Sequence, residues 1–360
     1  MSYGKTVINK PPDTRFLNQP RRIVVFNVNW LGDVVFSTAV LRNIKYNFPD
    51  AHIACIIPPR CQAVLAGNPH LDEIILFDEQ GREKSLWGKI AFSLALRKKR
   101  FDTAFLLHRS FSRALIVAAA GIAQRVGYYT SKRGWLLSRR IIAPDLLRVH
   151  RIDYYLGVIA GAGLEIKDRH TEFFIASRDA EYAQRFLREQ GLERSGVLAA
   201  INPGGNWAPK RWAKEYWAQL AERLISECGM QVIITGGEQD ASLAGQIQQL
   251  MGAGRVISAC GKLSLGQFAA LCKRLRLFIS ADSGPLHIAN AAGAVRIIAL
   301  FGPTAPLLTG PYPADRVSVL QEAVGCTIPC YRVDCNDHRC MNAITPEKVM
   351  RAVKTYVHRG

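Results

Sequence analysis

From residue 22 onward, short apolar runs alternate with longer stretches of helical spacing. "RIVVFNVN" (22–29), "AHIACIIP" (51–58), "EIILFD" (73–78) and "FDTAFLLH" (101–108) are rich in β-branched residues and predict strands. Residues 34–48, 84–99 and 111–123 carry the helical period around them. The second half repeats the scheme. Strands are predicted at 196–204, 230–237, 255–261, 277–284 and 295–303, with helices at 213–227 and 264–274. Between the halves, 163–195 is more polar and holds a predicted strand without an evident sheet partner. The closing helix begins at "TPE", with Thr345 as N-cap and Pro346 at the first helical position.

Strands separated by helices imply parallel sheets covered on both faces, hence an α/β fold. The expected organisation is an N-terminal extension (1–21), one α/β domain (22–185), a second (186–344) and a terminal helix (345–360). In open sheets of this kind ligands bind beyond the carboxyl ends of the strands, so the strand-end loops are where chemistry is expected.

Four such loops carry informative residues. In "NVNWLGDVV" Asp33 opens the first helix, either as an N-cap or as a carboxylate able to take a proton from a hydroxyl. In "INPGGNWAPKRW" Gly204 and Gly205 allow close backbone approach, and Lys210 and Arg211 can neutralise a diphosphate. Trp207 and Trp212 read as packing residues. In "IITGGEQD" Glu238 follows two glycines and suits ribose hydroxyls, or is an ordinary helix-start acid. In "ISADSGPLHIANAAG" Asp282, Ser283 and Gly284 end a strand, and His287 stands in the first turn of a small apolar helix. The N–H groups of such a turn suit phosphate.

Composition narrows the partners. The chain has 360 residues, 49% hydrophobic and 21% charged, with a formal charge of +18. That charge favours nucleic acid, anionic lipid or phosphorylated small molecules. No zinc finger, RNA-binding aromatic motif or basic zipper accompanies it, so nucleic acid is not the expected partner. No run reaches the ~20 apolar residues of a membrane span. The polar start lacks the apolar core of a signal peptide, and a cytoplasmic protein is expected.

Nine cysteines argue against a disulfide framework. Cys326, Cys330, Cys335 and Cys340, with His338 nearby, depart from common zinc spacings, so no metal is expected. No G-x-G-x-x-G follows a strand, "CGKLS" lacks the rest of a P-loop, and there is no D-x-D pair to hold a metal on a diphosphate.

Taken together, "LGD", "NPGGNWAPKRWAKEYW", "ITGGEQD", "ADSGPLHIANAAG" and "ALFGPT", with "RSFSRALIVAAAGIAQRVGY" and "PCYRVDCNDHRCMNAITPEKV", resemble the ADP-heptose:lipopolysaccharide heptosyltransferases, glycosyltransferase family 9. The resemblance runs from residue 22 to the end, and "NPGGNWAPKRW" is most similar to the branch that adds the second heptose. It implies a GT-B fold, two Rossmann-like domains facing across a cleft with the C-terminal helix crossing back to the first. It also implies an inverting, metal-independent transfer of heptose from ADP-heptose to the lipopolysaccharide inner core, without a cofactor. On that reading Asp33 is the general base, and Gly204, Gly205 and Lys210 hold the diphosphate and stabilise its departure. Glu238 holds ribose or adenosine, and Asp282, Ser283, Gly284 and His287 contact the donor sugar and diphosphate. Arg109, Arg113 and Arg125, with Lys132 and Arg133 further along, would face the anionic acceptor. The basic first half would be drawn to the anionic inner face of the cytoplasmic membrane. Alternatives are a GT-B transferase using another nucleotide sugar and a non-catalytic nucleotide- or glycan-binding relative.

Overall fold

The computed structural model describes residues 19–192, 196–252, 254–294 and 296–357; the expected N-terminal extension lies outside these as far as residue 18. Two six-stranded sheets form. The first contains β1 (Arg22–Phe26), β2 (His52–Ile57), β3 (Glu73–Leu76), β4 (Thr103–Leu106), β5 (Gln124–Tyr128) and β6 (Arg139–Ile141). The second contains β7 (Val197–Asn202), β8 (Met230–Ile234), β9 (Ile257–Ser258), β10 (Leu277–Ala281), β11 (Ile297–Leu300) and β12 (Val317–Leu320). All pairings are parallel. The orders are β3-β2-β1-β4-β5-β6 and β12-β11-β10-β7-β8-β9, which are one Rossmann-like topology used twice.

The helices are α1 (Leu31–Asn47), α2 (Gln62–Leu65), α3 (Leu86–Lys98), α4 (Phe111–Ala119), α5 (Arg151–Ala160), α6 (Ser177–Glu189), α7 (Lys214–Cys228), α8 (Ala241–Met251), α9 (Leu265–Cys272), α10 (Gly284–Ala291), α11 (Pro306–Thr309), α12 (Arg339–Asn342) and α13 (Pro346–Val357). The central strands β1, β4, β7 and β10 are apolar almost throughout because helices cover both faces, and nearly all of their residues are buried. Strands β5, β6 and β12 were not expected. "QRVGY" and "RRI" mix arginine and glycine into the run, and β6 and β12 are half-exposed sheet edges. Among the described residues of 163–195 the expected strand does not form. The irregular segment is instead tied to α1, where Thr38 Oγ1 accepts from the Glu172 N–H (3.0 Å) and Arg42 pairs with Asp168 and Glu172.

In a doubly wound sheet the order reverses beside the first strand, and the loops there splay apart. The two reversal points are β1/β4 and β7/β10. Their strand-end loops carry Asp33, Arg109, Gly204, Gly205 and Asp282.

The halves meet where α1 packs on α10 and α2 packs on α9. Residue 185 lies within α6, which packs on α9. Among the described residues the C-terminal helix packs on the second domain, where a return to the first was expected. Its apolar stripe, Val349, Met350 and Val353, is buried with Trp212, Leu220 and Leu224 of the second. Ion pairs from Lys354 to Glu227 (2.7 Å) and from Arg223 to Glu347 (3.6 Å) fasten it to α7.

Candidate active site

Asp33 stands in the first turn of α1, but Trp30 holds the N-cap position, so the simple capping reading does not apply. Its carboxylate accepts the Tyr155 hydroxyl of α5 (Oη–Oδ1 2.9 Å). Burial pushes its pKa above the ordinary carboxylate range; the Tyr155 bond and the nearby Arg151 charge oppose the shift without cancelling it. A carboxyl so placed is a stronger base than one in water, as proton abstraction from a hydroxyl requires.

Opposite it, Asp282 follows β10, and its buried carboxylate faces the side chains of Lys210 and His287. Lys210 Nζ donates to Oδ2 at 2.7 Å, and His287 Nε2 lies 3.6 Å from Oδ1. Burial alone would raise the Asp282 pKa, but His287 and Lys210 outweigh it and hold the carboxyl down at about 2. Asp282 is therefore ionised and already neutralised. The bond fixes the position of the Lys210 ammonium.

Two glycines let the halves close to this distance. A Cβ on Gly32 would come within 2.9 Å of His287 Cδ2, and one on Gly284 within 3.0 Å of the Leu31 side chain. The N-termini of α1 and α10 thus face each other across the cleft. No side chain caps α10: the Ser283 hydroxyl lies beside Ser280 Oγ (3.1 Å), which leaves the first-turn N–H groups for another acceptor. His287 Nδ1 is buried without a partner.

Edge-to-face ring contacts hold His287 from behind, Phe36 lying 4.5 Å from its ring and 5.4 Å from that of His150. His150 Nδ1 accepts the Ile152 N–H that opens α5, so Nε2 must carry the proton it donates to the Gly310 carbonyl (3.0 Å). Burial lowers the His150 pKa to about 4, in agreement with a neutral ring.

Gly204 lies in the loop just after β7, and a Cβ there would collide with the Asp240 carboxylate at 2.4 Å; one on Gly236 would meet Asp240 Cβ at 2.8 Å. Asp240 also accepts the Gly237 N–H (2.9 Å) and so ties the two glycine loops together. Arg211 Nε donates to the Gly205 carbonyl at 2.8 Å, while Glu238 is exposed at the edge of the second loop. Trp212 is core, its Nε1 donating to the Ile344 carbonyl at 2.7 Å, as expected of a packing residue.

The arginines separate. Arg109 is exposed at the end of β4. Arg113 is buried, with Nη1 on the Asn27 carbonyl (2.6 Å) and Nη2 on Asn29 and on Glu79 (2.6 Å). Burial raises the Glu79 pKa, but Arg113 prevails and holds it below the usual range. Arg125 is corrected outright: it begins β5, at the end of the sheet away from the cleft, and its guanidinium donates to the carbonyls of Ile122, Ala123 and Leu136. Arg133 is buried among the carbonyls of Tyr128 and His108, and burial lowers its pKa to about 10.

Sequence reasoning missed Tyr155, His150 and Asp240. Only Asp240 left a signal, as the second acid of "GGEQD". Cys326, Cys330, Cys335 and Cys340 are free thiols, and among the described residues no three His, Cys, Asp or Glu side chains converge as metal ligands.

The sequence matches the profile of Glycosyltransferase family 9 (heptosyltransferase) over residues 90–338. It is 27% identical over 346 residues to "Lipopolysaccharide heptosyltransferase 2" of Salmonella typhimurium, covering 91% of this chain and 96% of that protein. The Escherichia coli K12 protein of the same description is 26% identical over 345 residues, covering 91% and 96%. Among solved structures, a glycosyl transferase family 9 protein from Veillonella parvula superposes with a TM-score of 0.86 at 27% identity, covering 96% of this chain and 99% of its own. E. coli ADP-heptose lps heptosyltransferase II superposes at 0.77 with 24% identity, covering 94% and 99%, a likeness of fold. The profile spans more than half of the chain, which therefore belongs to glycosyltransferase family 9 and is a glycosyltransferase.

Proposed function

We propose that the protein is an inverting, metal-independent heptosyltransferase that moves heptose from ADP-heptose to the lipopolysaccharide inner core. The observation that carries this is the apposition, across one cleft, of a carboxyl of raised pKa and a lysine aimed by a buried carboxylate. The similarity to curated lipopolysaccharide heptosyltransferases supports the sugar and the acceptor.

In this mechanism Asp33 takes the proton from the acceptor hydroxyl. The hydroxyl oxygen then attacks the anomeric carbon from the face opposite the leaving group. A new C–O bond forms as the bond to the β-phosphate oxygen breaks, and ADP departs with the electron pair. Lys210 and the first-turn N–H groups of α10 are preorganised donors where that charge appears, as electrostatic catalysis requires. Gly204 and Gly205 would admit the diphosphate, Glu238 would meet the ribose, and Arg109 would face the acceptor. No helix among the described residues is long and apolar enough to cross a membrane. The enzyme would then work from the cytoplasm as a peripheral protein on the membrane that holds its acceptor.

The test is a donor panel. ADP and ADP-heptose should raise the melting temperature more than UDP, GDP or their sugars, because a ligand that binds the native state more tightly stabilises it more. ADP-heptose should also give a heptosylated core product of inverted anomeric configuration. Equal shifts across the panel would remove ADP as the donor nucleotide.

A further inference from the structure

The outer face of α3 is built the wrong way round for a helix that meets only water. Its N-cap is sound, with Ser85 Oγ accepting the Gly88 N–H at 3.0 Å, and its inner face packs through Leu96 and Phe92, the latter 4.7 Å from Phe77. Yet Leu86, Trp87, Ile90 and Leu94 point outward, with Trp87 78%, Leu86 69% and Leu94 55% exposed. Their spacing places them on one stripe. The adjacent α4 adds exposed Phe111 and Leu115 four residues apart, and exposed Trp135 lies 6.4 Å from Phe111.

Basic residues frame the stripe: Lys84 and Lys89 near its start, Arg97 and Lys98 at its end. The one carboxylate in residues 82–100, Glu83, is buried and accepts the Asp78 N–H at 2.8 Å, so the outward charge is all positive.

We infer that the α3–α4 face docks the first domain on an anionic lipid bilayer. Large exposed side chains including tryptophan, bounded by lysine and arginine, match the headgroup boundary, where apolar groups insert and cations meet lipid phosphate. Charge decides between occupants: a second copy of a chain carrying +18 would be repelled, whereas an anionic surface is attracted. Position agrees. The N-terminus of α3 and Phe111 of α4 follow the carboxyl ends of β3 and β4, the side on which the cleft opens. A lipid-anchored acceptor would be presented beside Arg109. The inference draws on the proposed acceptor for its purpose, but its test does not.

The experiment is co-sedimentation of the full chain with phosphatidylcholine vesicles, with and without phosphatidylglycerol, at low and high salt. The wild type should bind the anionic vesicles and lose binding as salt rises. Trp87→Glu with Leu94→Glu should weaken binding about tenfold or more, while ADP still raises the melting temperature and transfer to a delipidated, soluble acceptor is unchanged. Brominated lipid should quench the wild type more than Trp87→Phe, which should still bind. No vesicle binding by the wild type, undiminished binding by the double variant, or a dimer that the double variant dissociates would each overturn the proposal. Vesicle binding without turnover of ADP-heptose would instead count against the proposed reaction and leave the docking face standing.

Discussion

The two sheets share one strand order, yet their reversal points have opposite polarity. At β1/β4 two of the cations are turned inward: Arg113 serves Glu79 and the backbone after β1, and Arg133 serves carbonyls at the ends of β4 and β5. Arg109 stays exposed at the end of β4, and the titratable group set at the cleft by Tyr155 is an acid, Asp33. At β7/β10 it is the acid that is buried, Asp282, and the cation it carries, Lys210, reaches the cleft. Topology places the loops, and the partner behind each loop decides the charge it presents. One half is thereby suited to accept a proton and the other to stabilise a departing anion.

The hardest test of that division is Asp33→Ala. If the first half supplies only the base, kcat should fall by about 10³-fold or more, within the usual range for general base catalysis. ADP affinity, measured by calorimetry, should stay within about twofold. Transfer that survives the change would remove the base assignment, and a parallel loss of ADP affinity would show that the halves do not divide the work.

Lys210→Ala is the matching change on the other side, with an expected loss of about 10² in kcat and weaker ADP binding. It also leaves the Asp282 carboxylate buried without its lysine, so thermal unfolding must be measured alongside. Lys210→Arg should recover part of the activity, because it restores the charge near Asp282; a variant that unfolds no earlier yet binds ADP normally would exclude Lys210 from the donor site.

Legibility in the sequence followed the same division. The buried strands and the glycine loops showed because burial on both faces and close backbone approach each demand particular residue types in sequence order. The edge strands β6 and β12 did not show, since a strand exposed on one side tolerates arginine and serine. Asp33, Lys210 and Asp282 were visible as strand-end residues, but their grouping was not, because it joins positions brought together only by the packing of α1 on α10. Tyr155 was hidden for the same reason: a hydroxyl on α5 acquires its meaning from Asp33, 122 positions away. Arg125 was misjudged because charge in a sequence does not say which end of a strand it occupies.

Acid titration of stability sharpens the second half alone. The Asp282 pKa lies at about 2 when folded, against 3.8 for an ordinary aspartate, so its stabilisation is complete above 3.8 and is lost as pH falls towards 2. The sign is that of a lowered carboxyl: the unfolded chain binds the proton first. The contribution is about 2 kcal/mol by linkage. Chemical denaturation of wild type and Asp282→Asn through this window should show a slope in the former that flattens in the latter. Identical slopes would mean that Asp282 is not held by Lys210 and His287 in solution.

Tyr155→Phe probes the first half most gently. Its hydroxyl donates to Asp33 and so favours the ionised carboxylate; without it the already raised pKa rises further. A base must be ionised to act, so the acid limb of kcat/KM should move to higher pH, and the rate at high pH should return to near the wild-type value. Below the limb the loss should be about fivefold, the kinetic equivalent of one hydrogen bond of ~1 kcal/mol. The phenylalanine keeps the ring packed beneath Asp33, which separates loss of the bond from loss of the side chain. A uniform drop at every pH would indicate that Tyr155 merely supports the fold of α5 against α1, whereas a shifted limb ties it to the ionisation of Asp33. ADP binding, proposed for the other half, should not change in either case.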